Sequence, residues 1–142
     1  MRPVTAYRFG SVRRCVVALA ACVLGGIVAA DAAERGFPYN SELIMDAKPM
    51  RGSKRVPMLE IDENGAAAID LWCASASAQA VIADHSISIA PGDVQNAQCE
   101  PDRQSRDAEL LAALAQVTNW RSNGEVVEFL GVTPLRFRLM TN

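Results

Sequence analysis

Four kinds of side chain in this sequence could do chemistry: one imidazole, four thiols, a set of carboxylates and two indoles. His85 stands between Asp84 and Ser86, so the three members of a nucleophilic relay are adjacent in the chain. Adjacent residues in a strand or turn point in diverging directions, and a Ser–His–Asp relay needs them converging on one line of proton transfer. The segment therefore reads as a surface turn, with no catalytic residue assigned to it. Asp62, Glu63, Asp70, Glu100, Asp102, Asp107 and Glu109 supply carboxylates. Asp62 and Glu63 precede Asn64-Gly65, a turn signal, while Asp107 and Glu109 suit the first turn of a helix, where negative charge is favoured. Both groups read as solvated charge. The chain contains no Gly-x-Ser-x-Gly, no phosphate-binding glycine loop and no His-Glu-x-x-His, the patterns that place a nucleophile, a phosphate cradle or a zinc centre. The expectation is a protein that is not an enzyme and holds neither cofactor nor metal.

The thiols divide by position. Cys15 and Cys22 lie in an N-terminal segment of targeting type, leaving Cys73 and Cys99 as an even pair. Arg2, Arg8, Arg13 and Arg14 precede the apolar run from Cys15 to Ala30, which ends in small residues through Ala33. Basic, apolar and small-residue zones in that order form a secretory signal peptide. The run is shorter than the roughly 20 apolar residues of a spanning helix and contains Gly25 and Gly26. Cleavage is expected to leave a chain starting at Ala33 or Glu34, periplasmic or secreted. Leu19-Ala20-Ala21-Cys22 supports an alternative, a lipoprotein anchored through Cys22, against which the apolar run continues past the cysteine.

In an oxidising compartment the remaining pair is expected to form a disulfide. A zinc site needs four ligands and a redox motif wants Cys-x-x-Cys, whereas this chain has one His and places Cys73 and Cys99 26 positions apart. Loss of residues 1–33 removes four Arg and Asp31, leaving ten basic against fifteen acidic residues. Such a balance lacks the basic footprint of a nucleic-acid binder. Arg51, Lys54 and Arg55 cluster beside Gly52 and Ser53, which reads as a solvated loop.

Around these residues the chain reads as strands and one helix. Val56 to Ile61 and Ala66 to Cys73 flank Asp62-Glu63-Asn64-Gly65 as a hairpin, with Ile69, Leu71 and Cys73 on one face. A second hairpin joins Ala80–Ala83 to Ser86–Ala90 through Asp84-His85 and stops at Pro91-Gly92. Ser105 can cap a helix whose apolar stripe is Leu110, Leu111, Leu114 and Val117, three to four turns long. A closing hairpin follows through Asn123-Gly124, and in it Leu135, Phe137 and Leu139 alternate with Arg136 and Arg138. Trp72 abuts a half-cystine and Trp120 follows the helix, so both are expected in the core or, where a pocket exists, as its walls.

The order of a hairpin, Leu71-Trp72-Cys73, a second strand pair, Cys99-Glu100-Pro101, the acidic-leucine stretch Asp107 to Leu114 and a final Leu135-Arg136-Phe137 resembles the META domain family, whose bacterial members include the heat-shock protein HslJ. The resemblance covers about residues 40 to 140. It departs at Trp72-Cys73-Ala74, where the family usually has Gly-Cys-Asn, and at Gln95–Gln98, which lacks the Thr often found before the second cysteine. It implies an α+β fold: a curved antiparallel sheet or cracked β-barrel, with one amphipathic helix between the central and C-terminal strands. The expected organisation is a signal peptide over 1–33, an N-terminal extension and first edge segment over 34–55, and a domain core over 56–142. The function implied is an exported, non-enzymatic envelope domain that binds a protein or lipidic partner, with a place in envelope stress. The partner is an unidentified protein or apolar ligand, with association to the envelope and none to nucleic acid. A secreted β-barrel inhibitor of a lysozyme or protease is the alternative. Lysozyme inhibitors of this shape carry a Ser-Gly-x-x-Tyr type loop, and neither Tyr7 nor Tyr39 sits in one.

Overall fold

The computed structural model describes residues 36–141 apart from Ser53, Asn96 and Ala97. The expected signal segment, Cys22 included, lies outside the described residues. Eight strands follow one another as β1 (Leu43–Met45), β2 (Met58–Ile61), β3 (Ala66–Asp70), β4 (Ser75–Ala83), β5 (Ser86–Gln95), β6 (Val117–Asn123), β7 (Val126–Gly131) and β8 (Leu135–Leu139), and α1 (Pro101–Leu114) stands between β5 and β6. Each strand pairs antiparallel with its sequence neighbour, and β1 also pairs with β8 through Leu43↔Leu139, Ile44↔Arg138 and Met45↔Phe137. The sheet therefore closes into an eight-stranded barrel instead of remaining an open or cracked one. The short edge segment expected before residue 56 is the keystone of that closure, since β1 carries β2 on one side and β8 on the other.

Alternation fixes which side chains fill the barrel. Leu59 and Ile61 on β2, Ala67 and Ile69 on β3, Val127 and Phe129 on β7, and Leu135 and Phe137 on β8 are all buried, while their neighbours Glu60, Ala68, Arg136 and Arg138 are exposed. A period of two along each strand sends one set inward and the other to solvent. An apolar interior beneath a charged exterior is the reverse of a membrane barrel, whose lipid-facing side is apolar. No helix among the described residues is long and apolar enough to cross a membrane.

The elements depart from the sequence expectations at five places. β3 ends at Asp70, and Leu71-Trp72-Cys73-Ala74 forms a tight reversal closed by Leu71 N–H donating to Ala74 O at 2.9 Å. Cys73 thus lies in a turn and not on a strand face. β4 begins at Ser75, where alternating Ser and Ala gave no apolar signal. β5 runs through Pro91 to Gln95. Pro91 is tolerated because β6 meets β5 only at Ser86↔Asn119, so no strand requires its missing N–H on that side. The helix starts at Pro101, four residues before the expected Ser105 cap, with Glu100 at the N-cap and no side-chain cap bond. Proline's fixed φ and absent N–H suit the first helical position. Val117, expected on the helix, opens β6 because α1 ends at Leu114.

Candidate functional site

Two regions of the barrel gather the residues singled out by type, and they lie at opposite ends of β4. At the end where β4 begins, Cys73 of the reversal and Cys99 just before α1 are joined as a disulfide, with their Cα atoms 5.9 Å apart. Asp107, on the inward face of α1 with Leu110 and Leu114, is 5% exposed. Its carboxylate accepts the backbone N–H of Trp72 and that of Ala74, both at 2.9 Å. A buried charge is costly unless hydrogen bonds replace water, and here two main-chain donors of one turn do so. Asp107 is therefore neither solvated nor a terminal helix charge: it ties the second turn of α1 to the reversal that holds Cys73. Sequence reasoning missed this, although an acidic residue one turn ahead of Leu110 and two turns ahead of Leu114, on the apolar side of the helix, was the available signal.

Arg55 completes this knot. Its guanidinium donates to Cys73 O and to Asp70 Oδ1, each at 2.9 Å, so one member of the expected solvated basic loop is anchored across the β3–β4 reversal. Arg51 and Lys54 are exposed. Trp72 is half-buried against the core with its Nε1 enclosed and unbonded.

At the other end of β4, the two-residue turn Asp84-His85 leads into β5. Asp84 has φ +50, a left-handed conformation that Asp and Asn tolerate better than other side chains. Trp120 is 4% exposed; its Nε1 donates to Asp84 O at 2.8 Å and its backbone N–H to His85 O at 2.8 Å. Phe37 packs edge-on to Trp120, with ring centroids 5.1 Å apart, and against Tyr39 at 5.0 Å. The imidazole of His85 lies 5.8 Å from the indole of Trp120. Ser86 Oγ donates to Ala83 O at 2.7 Å, which commits the hydroxyl proton to closing the turn. Beside these rings is a depression of about 310 Å³ lined by Tyr39, Ile82, Asp84, His85 and Trp120 together with Gly36 and Phe37.

The structure thus brings Cys73 and Cys99 together and keeps Trp72 and Trp120 apart. Trp72 lies three residues before β4 and Trp120 bonds the residue just after it, and a nine-residue strand spans about 30 Å. They cannot wall one pocket, although Trp120 does line a depression. Asp62, as expected, serves a turn: its Oδ1 accepts the N–H groups of Asn64 and Ala66, both at 2.8 Å. Glu109 pairs with Arg106 on the exposed side of α1. Among the described residues no group of three or more His, Cys, Asp or Glu is placed to hold a metal ion.

The Cys73–Cys99 disulfide and the single helix between β5 and β6 agree with what the residue pattern implied, whereas the buried Asp107 carboxylate is not among those expectations. No curated protein and no solved structure matches the chain. Residues 37–135, from the aromatic plug Phe37 to the first residue of β8, match the META domain, and the chain belongs to the META domain family.

Proposed function

We propose that this protein is an exported envelope module that acts by binding a partner, protein or lipidic, and not by turning over a substrate. The observation that carries the reading is the Cys73–Cys99 cross-link. Such bonds persist in secreted and periplasmic proteins and are reduced in the cytosol. The way the barrel is filled supports binding at its surface. Phe129, Phe137, Leu43, Leu59, Ile61 and Val127 are fully buried side chains of the interior, so the space that a lipocalin-like barrel gives to a ligand is occupied by side chains here. A role in envelope stress is part of the proposal and rests on the family alone.

The test is fractionation of cells expressing the full chain, with thiol mapping of the protein in each fraction under non-reducing conditions. The disulfide-bonded form is expected in the periplasmic or secreted fraction, and immobilised protein is expected to retain a specific component of an envelope extract by protein and lipid mass spectrometry. A cytoplasmic protein with both thiols free would overturn the reading.

A further inference from the structure

The depression beside Trp120 adjoins a second one. Tyr39 and Ile82, which line the first, also line a neighbouring depression of about 240 Å³ whose other walls include Glu63, Gln79 and Val81. The two form one trough along the distal part of β4, and among the described residues the side chains bearing formal charge on it are the carboxylates of Asp84 and Glu63, with no described Lys or Arg lining either half.

The trough also runs beside an unfinished sheet edge. β3 pairs with β4 as far as Ala66↔Gln79, and Ala80 N–H donates to Gly65 O at 2.7 Å. β4 continues beyond that point to Ala83, paired with β5 through Ala83↔Ser86. Hydrogen-bonding direction alternates along an antiparallel strand. Ala80 faces the β3 side, so Ile82, two residues on, presents its N–H and C=O to the side that β3 has left. Val81, between them, is 62% exposed, a large apolar side chain held at the rim.

We propose that this trough docks an extended basic segment of a partner protein. The segment lies alongside β4, bonds the main chain of Ile82, and sets a Lys or Arg side chain against the ring of Tyr39 between Asp84 and Glu63. Strand addition supplies affinity through the main chain, with side-chain depressions giving selectivity. An aromatic ring flanked by carboxylates selects a guanidinium or ammonium group. A lipid chain is disfavoured there, since it would strip water from two carboxylates without replacing their hydrogen bonds. The inference rests on the reading of this domain as a binding module, and it deepens that reading by naming the partner's chemistry.

The experiment titrates the purified full protein with the probe peptide acetyl-Val-Arg-Val-Arg-Val-amide and with its Glu-for-Arg counterpart, following backbone amide shifts by NMR and affinity by calorimetry. The Arg peptide is expected to saturate with shifts at Ile82 and Tyr39, and the Glu peptide to bind at least tenfold more weakly. The double variant Asp84→Asn, Glu63→Gln is expected to lose about tenfold in affinity for the Arg peptide, or roughly 1.4 kcal/mol. Asn accepts the left-handed φ of position 84 and Gln keeps the length of Glu in its turn, so the fold survives in the variant; its amide spectrum away from the trough verifies this. Equal affinity for the two peptides, shifts confined to another face, or no effect of the double variant would overturn the proposal. An envelope partner captured equally by the parent protein and by the double variant would leave the binding-module reading standing and overturn the trough as its site.

Discussion

The carboxylate of Asp107 and the Cys73–Cys99 bond hold the same four-residue reversal from two directions. The bond restricts the unfolded chain by joining positions 26 apart, and the carboxylate satisfies two N–H groups that the reversal would otherwise leave without partners. Asp107→Ala is expected to cost about 2–4 kcal/mol, because each buried donor deprived of its acceptor costs roughly 1–3 kcal/mol. Asp107→Asn is expected to recover part of this loss, since one amide oxygen can still accept. Denaturant unfolding measures both, and an Asp107→Ala protein as stable as the parent would remove the carboxylate from the account. Cys73→Ser and Cys99→Ser are each expected to cost about 2–5 kcal/mol, and the double variant should be no less stable than either single one, since all three lack the same bond. A double variant clearly weaker than the singles would show that the two sulfurs act separately.

Strands and turns differ in how much of them the residues alone declare. Gly65 has φ +82, and a Cβ there would lie 2.2 Å from Ala80 O, whereas Gly124 has φ +65 with open space where a Cβ would sit. Gly124→Ala should therefore cost about 1–2 kcal/mol, the left-handed penalty alone. Gly65→Ala should cost clearly more, since the Ala80 N–H to Gly65 O bond and the β2–β3 turn must shift to admit the methyl group; equal losses in thermal unfolding would refute the contrast. Both turns were legible because Asn64-Gly65 and Asn123-Gly124 stand between alternating apolar runs. The closing hairpin and the apolar stripe Leu110–Leu114 were legible for the same reason: a period of two or of 3.6 is written in the side chains themselves. β1 and the first half of β4 were not. β1 is three residues long, too short to show a period, and Ser75-Ala76-Ser77-Ala78 has too little apolar contrast to mark its faces. Tertiary pairing creates these strands: Leu43 is fully buried because Leu59 and Leu139 flank it. Asp107 was misread for a related reason. Spacing alone places a carboxylate on a helix but cannot show that a turn 33 to 35 residues earlier offers it two N–H groups.

Over the whole molecule, closure, cross-link and the proposed export belong to one chain of dependence. The barrel closes through β1 and β8, while β5 and β6 meet at the single register pair Ser86↔Asn119. The helix connecting β5 to β6 must therefore be fastened by something other than a strand ladder. Asp107 and the disulfide are those fastenings, and the disulfide needs an oxidising compartment to form. The matched domain begins at Phe37, the ring that packs on Trp120 at 5.1 Å and stacks on Phe129 at 6.3 Å. A cut that removed Phe37 would expose this end of the core. A cut just before Ala33 or Glu34 keeps it, and that is where the proposed signal cleavage falls. N-terminal sequencing of the exported protein is expected to read from Ala33 or Glu34, and its intact mass to lie two hydrogen atoms below that of the dithiol form because Cys73 and Cys99 are oxidised. An N-terminal acylated Cys22 would place the barrel on a lipid anchor instead, and a retained residue 1 on a cytoplasmic protein would break the link between the cross-link and the compartment.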